Sequence, residues 1–277
     1  MVRNSPIGVF DSGVGGLAVA RYLQRCLPQE NFVFFGDTAH LPYGDRSAQE
    51  LLAYTKAISQ FLLAHNLKAL VVACNTVSTI ADDWLRVNLN IPVIDVINPV
   101  ARHLSAVYRP GQQVGLVGTK VTVSSGIYEK RIRLNGGYFD FKAWAMPELV
   151  PMIECININH TKVQQLLKQY ADRLTWSQLD GLILGCTHYP WVYEQFREVL
   201  SERTDLWDAG LITAQELRAQ LTAGNLLNTD DATKSGNWLF YLSESRANVQ
   251  DLIARFWGGC QIELVKWYGL SLEPSKR

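Results

Sequence analysis

Six short apolar runs, Ile7–Phe10, Phe32–Phe35, Ala69–Ala73, Val93–Ile94, Val114–Val117 and Leu182–Leu184, lack the polar alternation of a strand with one wet face. Runs this short, rich in β-branched and aromatic residues, fit strands covered on both faces in a parallel sheet. Parallel strands need long crossovers, usually helical. Helical patterns stand in the intervals. Ser47 and Glu50 form an S-x-x-E capping box, after which Leu51, Tyr54, Ile58, Phe61 and Leu62 share one helical face. His160–Leu174 and Thr213–Leu221 show the same spacing, whereas Asn225–Gly236 is polar and aperiodic and reads as a loop. The alternation predicts an α/β fold with helices covering mainly parallel sheets.

One internal similarity narrows this further. Leu67-Lys-Ala-Leu-Val-Val-Ala-Cys74-Asn-Thr76 aligns without gaps on Leu179-Asp-Gly-Leu-Ile-Leu-Gly-Cys186-Thr-His188. Upstream, Ile7-Gly-Val-Phe-Asp-Ser12 matches Val114-Gly-Leu-Val-Gly-Thr119, and the intervals from Ser12 to Cys74 and from Thr119 to Cys186 are 62 and 67 residues. The expectation is two similar α/β domains, each ending a strand in a cysteine, with the active site in the cleft between them. Residues 1–98 plus 209–277 would form the first, carrying Asp11 and Cys74. Residues 99–208 would form the second, carrying Glu154, Cys186 and His188.

Composition excludes several classes. The chain has 277 residues, 48% of them hydrophobic, which rules out disorder. A formal net charge of +0 gives no general attraction to nucleic acid or anionic membrane. No stretch approaches the roughly 18–20 apolar residues that span a bilayer, and Asp11 interrupts any signal-peptide core at the start. Five cysteines without a C-x-x-C pair argue against a disulfide framework or zinc site and for a reducing cytosol. Cys26, Cys155 and Cys260 read as small core residues.

Cys74 and Cys186 read differently. In open α/β sheets ligands bind at the carboxyl ends of strands, where both cysteines fall, and a helix N-terminus there lowers a thiol's pKa. Two thiols flanking one cleft suit a reaction that removes a proton from one face of a carbon and delivers another to the opposite face. Asp11, His188 and Glu154 are the acids and the imidazole able to relay those protons. His188 fits a surface or capping role equally well.

These residues together resemble the glutamate racemases, of the cofactor-independent aspartate/glutamate racemase group. The matching segments are Gly8–Leu17, Gly36–Ala39 with Pro42–Gly44, Ala73–Thr76, Gly118-Thr119 with Thr122, Val150-Pro151 with Glu154, and Leu184–Pro190. The resemblance implies that Cys74 and Cys186 are the two acid/base residues, assisted by Asp11, Glu154 and His188. It implies a substrate site made by Asp11, Ser12, Tyr43, Gly44, Asn75, Thr76, Thr119, Thr122, Thr187 and His188. It further implies a cytoplasmic homodimer that uses no cofactor or metal, takes glutamate, binds neither nucleic acid nor membrane, and supplies D-glutamate for peptidoglycan. Val77 departs from the alanine many relatives carry beside the first cysteine.

Two other classes compete. Gly13-x-Gly15-x-x-Ala18 after a strand, with Asp37 nineteen residues on, also fits a dinucleotide fingerprint and a nicotinamide-dependent oxidoreductase. Asp11-Ser12 speaks against it, since a carboxylate there would crowd a pyrophosphate. A binding or regulatory protein on the same fold is the non-enzymatic alternative. Aspartate racemase is the close enzymatic one, separated by a single methylene of substrate.

Overall fold

The computed structural model describes residues 2–13, 15–155, 157–229, 235–268 and 270–274. The first half of the chain runs β1 (Ile7–Asp11), α1 (Gly16–Cys26), β2 (Phe32–Gly36), α2 (Ala48–Leu63), β3 (Ala69–Val72), α3 (Asn75–Asn88), β4 (Val93–Asp95) and α4 (Asn98–Val107). It continues through β5 (Gln113–Gly118), α5 (Lys120–Ser124), α6 (Ile127–Leu134), β6 (Asp140–Ala145), α7 (Leu149–Ile153), α8 (His160–Arg173), β7 (Gly181–Gly185), α9 (Tyr193–Val199) and β8 (Asp205–Asp208). Last come α10 (Ala209–Ala223), β9 (Trp238–Leu242), α11 (Ala247–Phe256), β10 (Gln261–Tyr268) and β11 (Ser271–Pro274).

The strands make two sheets, of order β11-β10-β9-β2-β1-β3-β4 and β6-β5-β7-β8. Every pairing is parallel except that of β10 with β11. The expected α/β class with mainly parallel sheets is therefore correct. Within the larger sheet, β2-β1-β3-β4 repeats the order of β6-β5-β7-β8. The repeat holds to the residue. Ile7 lies opposite Ala69 and Phe10 opposite Val72, as Val114 lies opposite Gly181 and Val117 opposite Leu184. These are the partners the two sequence alignments equate. The same small-to-large contact recurs too. A Cβ on Gly8 would sit 2.4 Å from Leu67, and one on Gly115 2.9 Å from Leu179.

A continuous apolar core joins the sheets. Leu17, Val19 and Leu23 of α1, Val100 and Leu104 of α4, and Leu217 and Leu221 of α10 pack with Val9 and Val71 of one sheet and with Leu116 and Ile183 of the other. The capping box at α2 forms as expected. The Glu50 backbone N–H donates to Ser47 Oγ at 3.3 Å, and the Ser47 N–H donates to the Glu50 carboxylate at 3.0 Å.

Some expectations need correction. Cys155 is exposed, in the turn after α7, and is no core residue. Cys26 and Cys260 are half-buried at the rim of the core, Cys26 as the last residue of α1 and Cys260 just before β10. The helix expected at Thr213 starts four residues earlier, since the Asp208 carboxylate caps it by accepting from the Gly210 N–H at 2.8 Å. Of the loop expected at Asn225–Gly236, residues 225–229, 235 and 236 carry no helix or strand. Asp230–Lys234 lie outside the described residues.

Candidate active site

Both cysteines line one pocket. β3 ends just before Cys74, which caps α3, and β7 ends just before Cys186. The pocket wall also includes Ser12, Tyr43, Gly44, Asn75, Thr76, Thr119, Thr187 and His188. About 60 Å³ of it admits the centre of a water molecule, several times the roughly 10–15 Å³ one water needs. A small polar solute fits. Sequence reasoning missed the apolar wall of Leu41, Pro42, Met146, Pro147, Val150 and Pro151, and two charged residues, Asp45 and Lys120. Pro42, Val150 and Pro151 belong to motif segments already singled out, and Leu41, Asp45 and Lys120 flank such segments directly.

Four expected residues stand behind this wall or turn inward from it. Asp11 is wholly buried. One of its oxygens accepts from the Gly13 and Gly16 N–H groups at 2.8 and 2.7 Å, and the other accepts from Thr187 Oγ1 at 3.3 Å. Burial raises its pKa, against the opposing pull of His188 and these hydrogen bonds. Thr122 does not line the pocket; it is buried and holds Thr119, with their hydroxyl oxygens 3.0 Å apart. Glu154 lies behind His188, its carboxylate 2.9 Å from Nε2. Tyr43 lines the wall, but its hydroxyl points away and donates to Asp37 at 2.6 Å.

The two sulfurs have different surroundings. Cys74 Sγ is 3.9 Å from Ser12 Oγ. Burial first, then the nearby Asp11 carboxylate, pushes its thiol up to about 12, although the Val77 N–H at the start of α3 pulls the other way. The expected lowering by the helix N-terminus is thus outweighed at Cys74. Cys186 is followed by a 3-10 turn, Tyr189–Val192, with Pro190 near its start, so no α-helix begins there until Tyr193. Its partner is His188 instead, with Nδ1 3.7 Å from the sulfur. Burial pulls the His188 pKa down, but the sulfur on one side and Glu154 on the other overcome it and raise it to about 10. At neutral pH one cysteine is a thiol and the other faces an imidazolium.

The dinucleotide alternative fails on this geometry. Asp11 occupies the turn where a pyrophosphate would sit. The glycines here serve close packing: a Cβ on Gly15 would lie 2.2 Å from Thr187 Oγ1 after β7, and one on the neighbouring Gly16 would lie 2.3 Å from Asp11 Cβ within the β1–α1 turn. Asp37, the supposed ribose ligand, is buried and already accepts from Tyr43, Ser243 and Trp267.

Residues 18–217 match the family model for Asp/Glu/Hydantoin racemases. The chain belongs to that family. The matched span takes in both cysteines and stops before β9. A glutamate racemase of Geobacter metallireducens is 37% identical over 270 residues, 98% of each chain. One of Neisseria meningitidis is 37% identical over 267 residues, 95% of this chain and 97% of that one. Among solved structures, glutamate racemase isoform RacE1 of Bacillus anthracis superposes with a TM-score of 0.88 at 35% identity, over 95% of this chain and 98% of that chain. Glutamate racemase of Francisella tularensis, in complex with D-glutamate, gives 0.83 at 30% identity, over 96% and 98%. An aspartate racemase of Picrophilus torridus gives 0.57 at 18% identity and shares the fold alone.

Proposed function

We propose that this chain interconverts L- and D-glutamate by two proton transfers at the α-carbon, one to a cysteine thiolate and one from a cysteine thiol on the opposite face. The observation that carries this reading is the meeting of two sulfurs, from equivalent ends of repeated sheets, in one pocket with different proton partners. In one direction Cys186, facing the His188 imidazolium, takes the α-proton, and the protonated Cys74 gives its own to the other face. The Cys74 thiolate left behind then starts the reverse reaction. Glu154 steadies the His188 charge, and Asp11 holds Thr187 and the start of α1. Ser12, Asn75, Thr76, Thr119 and Thr187 supply hydrogen bonds to the substrate carboxylates, helped by the amides at the start of α3.

Glutamate is favoured over aspartate because the relatives above 30% identity are named glutamate racemases while the aspartate racemase likeness reaches only the fold. Proton NMR and polarimetry in heavy water test this. L-glutamate should lose its rotation as deuterium enters the α-position, and L-aspartate should react roughly a hundredfold more slowly. Equal or faster turnover of aspartate would reverse the assignment. We infer from the family that the two sheets mark the domains 1–98 plus 209–277 and 99–208. On the same ground the enzyme works as a cytoplasmic homodimer without cofactor and supplies D-glutamate to peptidoglycan. No helix among the described residues is long and apolar enough to cross a membrane.

His188 gives a further expected result. Its folded pKa, about 10, lies above the ordinary 6.5, so between those values the folded chain binds more protons than the unfolded one. Stability from this group is full below pH 6.5 and is lost as pH rises toward 10. Thermal unfolding of wild type and His188→Asn should therefore converge across that window. At pH 8 the variant should be roughly a hundredfold slower in racemisation. A variant of equal rate, or curves that diverge with rising pH, would contradict the proposed pairing.

A further inference from the structure

We propose that Tyr128 is a positioning residue for substrate binding: it fixes the orientation of the Asn75 amide so that its N–H₂ group faces a substrate carboxylate. This deepens the function proposed above and rests on Asn75 being a substrate ligand.

Tyr128 lies in the first turn of α6, 1% exposed and embedded in the apolar core. Its hydroxyl donates to Asn75 Oδ1 at 2.6 Å. The bond joins residues 53 apart in sequence, from the units of the two different sheets. Asn75 opens α3 next to Cys74, is 2% exposed, and lines the pocket. Nδ2 of Asn75 makes no hydrogen bond to the described residues, yet it is not among the sealed polar atoms lacking a partner. The small surface Asn75 retains is therefore pocket surface.

The two ends of an asparagine amide are nearly the same shape and opposite in function. Turned one way, Asn75 offers two N–H donors to a carboxylate. Turned the other way, it offers an oxygen that repels one. With the amide turned, Nδ2 could donate to the phenol oxygen, but the buried phenol proton would then have no acceptor, so the bond to Oδ1 selects the first orientation. The apolar packing around Tyr128 keeps that phenol in place. Asn75 is thereby prepared before substrate arrives, and no reorientation is needed on binding.

Tyr128→Phe keeps the ring and removes the selection. The KM for L-glutamate should rise about fivefold with kcat changed by less than about twofold, because a binding contact shared by ground and transition states is weakened. Asn75→Ala should raise KM about tenfold or more, and in that background Tyr128→Phe should add almost nothing. A Tyr128→Phe effect that persists in full beside Asn75→Ala would show a general packing role and overturn the inference. So would an unchanged KM in Tyr128→Phe while Asn75→Ala raises it. If Asn75→Ala itself leaves KM unchanged, Asn75 is no substrate ligand, and that part of the proposed site falls together with the inference.

Discussion

Replacing either Cys74 or Cys186 with alanine should lower glutamate racemisation at least about a thousandfold, while each protein stays folded. Inversion needs a proton acceptor on one face of the α-carbon and a donor on the other, and nothing else lining the pocket duplicates a thiol placed at either strand end. Each cysteine is at most 6% exposed and small, so truncation removes one sulfur from the packing and little more. The two variants should differ in what survives. With Cys186 retained beside His188, Cys74→Ala can still exchange the α-proton of one enantiomer with solvent deuterium, without inverting it. Cys186→Ala keeps the thiol that burial and Asp11 hold protonated up to about 12, and its exchange should be the slower of the two at pH 8. Circular dichroism follows inversion and proton NMR follows exchange. Inversion within tenfold of wild type by either variant would rule out the two-cysteine mechanism.

The paired cysteines were legible in the chain because both strands leading to them are buried on both faces. Burial on two faces leaves an unbroken apolar run, and six such runs located six strands. The other five had weaker signals. Asp140–Ala145 and Asp205–Asp208 form sheet edges, where Asp140, Lys142 and Asp205 face solvent and break the run. Trp238–Leu242 pairs beside β2 in the sheet interior, but it contains no β-branched residue, and Glu263 and Lys266 interrupt the apolar residues of β10. The repeat carried more information than any single strand. Matching Leu67 with Leu179 and Ile7 with Val114 equated residues that hold the same register in the two sheets.

At the site, legibility followed distance along the chain. Cys186 and His188 are two residues apart, and their contact follows from the local turn. The chemistry at Cys74 did not, because the helix start is visible in sequence while the degree of burial and the approach of Asp11 are tertiary facts. Tyr128 gave no signal, since a tyrosine in a short amphipathic helix resembles ordinary core until its hydroxyl is seen against Asn75. Asp37 belonged to a recognised segment, yet its role needed Ser243, just after β9, and Trp267 of β10, both outside the family match. Through it those two residues hold Tyr43 at the pocket wall.

At the opposite end of the strand leading to Cys74, removal of the Lys68 side chain should cost the fold about 3–5 kcal/mol without altering catalysis by the protein that remains folded. Lys68 and Glu30 form an ion pair with side chains 0% and 2% exposed. The ammonium group also donates to the Arg3 carbonyl and, at 2.9 Å, to the Leu226 carbonyl, so all three of its protons are placed. The other oxygen of Glu30 accepts from the Asn228 N–H at 2.8 Å. Lys68→Ala would leave a buried carboxylate with its cation gone and two carbonyls without a donor. The melting temperature should fall by about 10 °C. The double variant Lys68→Met with Glu30→Leu removes both charges and restores apolar volume, so it should recover more than half of that loss, the two carbonyls accounting for the rest. Roughly 20 Å of strand separates this pair from Cys74, and kcat and KM at 25 °C should match wild type in every soluble variant. A melting temperature within two degrees of wild type for Lys68→Ala would mean that water reaches Glu30 and that the pair does not hold the base of the sheet. A normal melting temperature with a changed kcat would instead mean that strain at the base is felt at the cysteine.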